Sequence, residues 1–151
     1  MTMWLMLCSR ILAQGWVSIQ EFGVQPNNTA AENTKCLQKA IDSMANRGGA
    51  LFVEPTEGGY PIDGGLTLRR NVTLVGVHGP TGRGTATNDR SKPTGSIFVI
   101  RDKEKPFITV ESATQIKGIQ FYYPDQAFDK PKGIIPYPAT IQMSQQNRSE
   151  E

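Results

Sequence analysis

The chain has 151 residues, enough for one domain with a substantial core. Sixteen Lys and Arg against fourteen Asp and Glu leave a net charge of +2, which argues against recruitment of nucleic acid through bulk electrostatics. Fifteen Gly, ten Pro and 38% hydrophobic residues describe a folded, turn-rich protein rather than a disordered one.

Residues 1–15 are read as a separate N-terminal segment. An apolar run at 3–7 is interrupted by Arg10 and resumes at 11–13, too short and too broken to span a bilayer. Its charge sits mid-run rather than ahead of it, so a degraded export signal and a plain mature start both fit. The two cysteines, Cys8 and Cys36, stand in no metal-ligand or redox spacing, and Cys36 falls within a helical pattern as a small core residue.

Residues 17–22 alternate apolar and polar at period two and stop at Gly23, which predicts a half-buried strand. A loop at 25–28 leads into a helix. Thr29 or Asn28 supplies the N-cap oxygen, and Glu32, three residues after Thr29, completes a capping box. Leu37, Ala40, Ile41 and Met44 form one apolar stripe. Gly48 is expected to close the helix, with Arg47 in its last turn.

Residues 48–76 organise the chain. They read as three short strands laid down in quick succession, around Leu51, Leu66–Leu68 and Leu74, with Tyr60 between the first two. Gly58, Gly59, Gly64, Gly65 and Gly76 mark corners. The hairpin dipeptide Asn-Gly is missing, which fits the coils of a parallel solenoid better than a meander. A long polar loop over 77–95 follows. Further strands are expected at 96–100, at 107–111, around Gly118 at 116–121, and from 140 to 143. Strands centred near Leu74, Ile97, Phe121 and Ile141 recur at roughly twenty to twenty-five residues, the range of one solenoid repeat.

Taken together, Phe22-Gly23, Asn33-Thr34, Leu37 to Ile41, Gly48-Gly49, Phe52 to Pro55, Gly59-Tyr60, Leu66 to Leu68 and Asn71 to Gly76 resemble the N-terminal part of the pectate lyase superfamily. That superfamily includes polygalacturonases, other pectinolytic enzymes and phage tailspikes. The resemblance covers residues 17–79. It departs from the family at 25–28 and at Glu32-Asn33, where most of the family's acidic loop is replaced. Residues 115–126 and 135–143 are similar to a bacterial subgroup of the superfamily.

The resemblance implies a mainly β fold, a right-handed parallel β-helix with an N-terminal capping α-helix, of which residues 16–151 are the cap and first coils. It implies a role in binding or cleaving a polysaccharide, pectin-like or another acidic glycan, at a secreted or cell-surface location. The family's catalytic motifs Asn-x-Asp, Asp-Asp and Gly-His-Gly are missing from the chain, so no catalytic residue is assigned and this chain alone is expected to be inactive. No cofactor or metal is assigned; Ca²⁺ would enter only with a full-length lyase. The alternative is a non-catalytic structural or adhesive module, as in a tailspike or surface protein. Residues 144–151 contain no apolar side chain to cover a last coil, so self-association through an uncapped solenoid end is expected.

Among candidate site residues, Tyr122, Tyr123 and Tyr137 could form a platform on which a pyranose stacks, with Asp125 and Gln126 bonding its hydroxyls. The preferred reading is that the tyrosines fill corners and pack against the next coil, because aromatics more often serve the core than a ligand. Arg69, Arg70, Arg83, Arg90 and Lys92 suit either an acidic polysaccharide or a solvated loop face. His78, the single histidine, has no second base or ligand nearby in sequence. A carboxylate pair of Asp125 with Glu111 or Asp102 is weighed and not expected.

Overall fold

The computed structural model describes residues 16–79, 94–126 and 135–144. The N-terminal segment with Cys8, and Arg83, Arg90 and Lys92 of the long loop, lie outside them. The described residues are mainly β, with ten strands in three parallel sheets and one α-helix, α1.

The first strand, β1, is only Val17–Ser18; residues Ile19–Phe22, expected to extend it, form a 3₁₀ turn instead. The Ser18 hydroxyl accepts a hydrogen bond from the Gln20 amide at 3.0 Å, and Gly23 at φ +91° ends the turn. In a 3₁₀ turn residues i and i+3 share a face, so fully buried Ile19 and half-buried Phe22 pack on the core together. Helix α1 then spans Ala30–Met44 behind the expected capping box, Thr29 accepting from the Glu32 amide and Glu32 accepting from the Thr29 amide at 3.0 Å. Its stripe of Leu37, Ala40, Ile41 and Met44 is buried. The end differs from expectation. The helix stops at Met44 with no cation in its last turn, and Gly48, at φ +71°, instead donates its amide to the Met44 carbonyl at 2.8 Å in the turn beyond.

Backbone amides also set the acid response. The Thr29 amide, with the Thr29 hydroxyl, holds the Glu32 carboxyl below its ordinary value of 4.5. The Arg70 amide and then the Arg69 guanidinium do the same for Glu111 against partial desolvation. A carboxyl whose folded pKa lies below its unfolded value stabilises the fold above the unfolded pKa, and that contribution is lost as pH falls through the folded value. Stability should therefore hold from neutrality to about pH 5 and decline below about pH 4.5. Urea midpoints between pH 6 and pH 3 should fall less steeply in Glu32→Gln/Glu111→Gln than in the parent. Identical slopes would show that these two carboxyls do not contribute.

The remaining strands are β2 (Gly49–Val53), β3 (Tyr60–Ile62), β4 (Leu66–Leu68), β5 (Val72–Gly76), β6 (Ile97–Ile100), β7 (Ile108–Val110), β8 (Gln115–Lys117), β9 (Gln120–Tyr122) and β10 (Ile141–Met143). The three sheets have the orders β1-β2-β5-β8, β3-β6-β9 and β10-β7-β4. From β2 onward the chain visits the sheets in fixed rotation, and each strand lies parallel to its predecessor in the same sheet. Register stacks like on like: Leu51 on Leu74 on Ile116, Tyr60 on Phe98 on Phe121, Leu66 on Ile108 on Ile141. Leu51, Leu74, Tyr60, Phe98, Leu66 and Ile108 in these columns are buried, and along β3 and β4 the middle residue, Pro61 or Thr67, is only partly so.

Three expectations are corrected. Residues 48–76 hold four strands rather than three, Tyr60–Ile62 being the addition; Pro61 is tolerated there because β3 is an edge strand. The single strand expected over 116–121 is two, β8 and β9, in different sheets, with Gly118 at φ +63° turning the chain between them. The even spacing of Leu74, Ile97, Phe121 and Ile141 mixes the three sheets, since Leu74 stacks on Ile116 and Ile141 on Ile108.

The two ends of the sheets differ. At one, β1 pairs with β2, and side chains of α1 replace a neighbouring strand for β3 and β4. Buried Asn33 donates to the Pro61 carbonyl at 3.1 Å, and the Thr34 hydroxyl accepts from the Asp63 amide at 2.8 Å. Gln38 takes the Thr67 amide at 2.9 Å and donates to the Thr67 carbonyl at 3.1 Å. Edge groups that would otherwise be left unpaired are thus satisfied. At the other end β8, β9 and β10 are all edge strands, and there Ile141 is 46% and Met143 79% exposed. Among the described residues no helix is long and apolar enough to cross a membrane.

Candidate functional site

The site residues expected from sequence gather where the chain leaves β9. Tyr122 is the last residue of β9, in register with Val99, and Tyr123 follows it to pack partly on the core. The Gln126 amide donates to the Tyr123 carbonyl at 3.1 Å, forming a turn, and the Gln126 side-chain oxygen accepts from the Ile135 amide at 3.2 Å. That second bond brings the 135–140 stretch back beside the turn. The Tyr137 ring then meets the Tyr123 ring edge-on, centroids 4.7 Å apart and planes at 61°. Tyr123 and Thr140 share a hydroxyl–hydroxyl hydrogen bond of 2.6 Å.

A charged cluster lies beside this corner. The Asp125 carboxylate bonds Arg101 at 2.9 Å and Lys103 at 3.2 Å, both from the β6–β7 connection. The Tyr137 hydroxyl oxygen is enclosed and has no hydrogen-bond partner among the described residues. Burial raises its phenol pKa first, and the Asp125 charge raises it further. The structure therefore unites Tyr123, Tyr137, Asp125 and Gln126. Tyr122 stands apart on the strand, with no ring contact to either tyrosine among the described residues. An edge-on pair presents one ring face and one ring edge, not the flat three-ring platform suggested by the sequence.

The other candidates have separate tasks. Glu111 accepts from Arg69 at 3.2 Å and from the Arg70 amide at 2.9 Å, while Asp102 accepts from the Gly64 and Glu104 amides at 3.2 and 2.8 Å. With Asp125 bound to Arg101 and Lys103, the three carboxylates have different partners. Arg69 also bonds Asp42 at 2.8 Å and so ties α1 to the end of β7. His78 is exposed beyond β5. Arg101 and Lys103 were missed in the sequence because their stretch reads only as a polar turn. Their alternation, on either side of Asp102, was the available signal.

In comparisons with known proteins, no family model matches the chain, and no curated protein or solved structure matches it.

Proposed function

We propose that the chain forms the cap and first coils of a parallel β-helix like that of the pectate lyase superfamily, and that it engages a polysaccharide through the Tyr123–Tyr137 corner. The fixed rotation of the chain through three parallel sheets, with apolar residues stacked in columns, supports the fold reading. The observation that carries the binding reading is the enclosed, unpartnered Tyr137 hydroxyl beside an aromatic neighbour and a cluster of charges. A pyranose packs its C–H face on an aromatic ring while its hydroxyls seek polar partners at the rim. Arg101, largely exposed beyond its bond to Asp125, adds a site for a sugar carboxylate. The role assigned to this chain is binding, without a catalytic residue or metal, at a secreted or cell-surface location.

Affinity electrophoresis through gels containing polygalacturonate or uncharged dextran tests the reading. Retardation by polygalacturonate is expected, with affinity lowered about tenfold in Tyr137→Ala, the equivalent of losing one aromatic contact of about 1.4 kcal/mol. Tyr137→Phe removes an enclosed hydroxyl with no partner among the described residues, so it should not lower stability while weakening binding. Equal mobility of parent and variants in every gel would sink the proposal. The open edges of β8, β9 and β10 favour a second reading, a structural or adhesive module whose sheets continue into further strands of another coil or a second copy.

A further inference from the structure

On β2 the buried Leu51 and Val53 face the core, so Phe52 between them points outward, and on β5 Val75 does the same beside buried Leu74. Register sets Phe52 against Val75, and the Trp16 ring stacks on the Phe52 ring with centroids 5.6 Å apart and planes at 22°. Trp16, Phe52 and Val75 thus form an apolar row across the outside of this sheet, ended by Lys117, which pairs with Val75 from β8. The outward row on the β10-β7-β4 sheet is Thr67, Thr109 and Gln142, the polar kind that water ordinarily meets. Trp16 is 63% exposed and Val77, just beyond β5, 49%. Apart from Ile141 and Met143 at the open end of the sheets, these two are the exposed large apolar side chains among the described residues.

The chain itself holds a segment suited to this row. Residues 1–15 join the described residues at Trp16, and their sequence has apolar runs at 3–7 and 11–13 with Arg10 as the one charged side chain. Ala13 is three residues from Trp16, within about 10 Å at full extension, whereas adjacent strands of a sheet lie only about 4.8 Å apart. Reach is therefore no obstacle. A second copy would have to compete with a tethered segment whose effective concentration is about millimolar. Arg10 and Lys117 carry the same sign, so apolar burial is the attraction, and it is centred on Trp16, Phe52 and Val75 rather than on β8.

We infer that residues 1–15 fold back as a strap over the outer face of the β1-β2-β5-β8 sheet, their apolar runs covering Trp16, Phe52 and Val75. The strap holds β1, a two-residue edge strand, against β2 and β5. It is independent of the tyrosine corner, which follows β9 in a different sheet. Its release is a local step ahead of global unfolding, so it uncovers Trp16 with little change in the urea midpoint.

Trp4 and Trp16 are the two tryptophans of the chain, so Trp4→Phe leaves Trp16 as the sole emitter. Acrylamide quenching of Trp16 in the full chain should be at least fivefold weaker than that of free N-acetyltryptophanamide, at every protein concentration. Leu5→Ser/Leu7→Ser/Leu12→Ser in the same background alters none of the described residues. It should bring quenching within twofold of the free compound, with an unchanged far-UV spectrum. Cys8 supplies a second readout. In a Cys36→Ser background, mild oxidation should join Cys8 within the chain to a thiol introduced by Thr73→Cys, two residues before Val75 on the outer face, and not to one introduced by Thr109→Cys on the polar row. Parental quenching within twofold of the free compound, no change in the leucine variant, or equal crosslinking at the two positions would overturn the inference. Protection of Trp16 that rises with protein concentration would assign the row to a second copy and overturn it as well.

Discussion

Phe98→Ala should lower the stability of the fold by about 3–5 kcal/mol, the range for truncating a buried aromatic side chain. Phe98 is fully buried at the middle of its column, in register with Tyr60 on one side and Phe121 on the other. Its ring lies 5.4 Å from Phe107 and 6.4 Å from Phe121, which are themselves 5.3 Å apart in an edge-on contact. The three rings come from β6, the approach to β7, and β9, so the cluster ties two of the sheets together. Truncation removes the shared member and leaves a cavity that short, hydrogen-bonded strands cannot close by sliding. A total stability of about 5–15 kcal/mol is usual for a single domain, so a large share of it should disappear. Phe98→Leu keeps most of the volume and should lose under half as much. Trp16→Ala, at a residue 63% exposed, should change stability by less than about 1 kcal/mol. Urea midpoints for the three variants check the ranking, and a Phe98→Ala loss no larger than that of Trp16→Ala would show that the cluster does not hold the sheets together.

Local chemistry made much of this architecture legible in the sequence. The capping box at Thr29 and Glu32, the buried stripe of α1 and the one-sided strands β2, β4 and β5 depend on neighbours within a few residues, and the structure contains them. What the sequence hid depends on partners far along the chain. Tyr60–Ile62 carries a proline and shows no long alternation, yet pairing with β6 and a Gln20 side chain donating to the Tyr60 hydroxyl at 2.9 Å fix it as a strand. Residues 19–22 alternate like a strand, but the Ser18 cap and Gly23 favour a 3₁₀ turn that buries Ile19 and Phe22 on one side. The candidate site divides in the same way. Tyr123, Asp125 and Gln126 are close in sequence, whereas Arg101 and Lys103 reach them only because β6 and β9 are adjacent in one sheet.

Gly118→Ala should lower stability by about 2–5 kcal/mol, combining about 1–2 for a side chain held in left-handed backbone with about 1–3 for overpacking. Gly118 has φ +63°, and a methyl group there would collide with the backbone carbonyl of Gly76. The crowding has a structural source. Gly76 ends β5, and Gly118 follows β8, the strand paired with β5 in the same sheet. Ser96 fills the remaining space, its hydroxyl accepting from the Val77 amide at 2.7 Å and donating to the Val53 carbonyl at 2.6 Å. Backbone that approaches this closely leaves no room for a Cβ at either glycine. Gly58 separates the two contributions, because it sits at φ +84° with nothing within 4 Å of an added methyl. Gly58→Ala should therefore lose only the backbone share, about 1–2 kcal/mol. Because Gly118 leads directly into β9 and the Tyr123 turn, its alanine variant should also weaken the polysaccharide binding proposed for that turn, while Gly58→Ala should not. A loss in stability at Gly118 no greater than at Gly58 would mean that the corner relaxes around the methyl, and the close stacking of successive turns would then not be what sets the geometry of the tyrosine site.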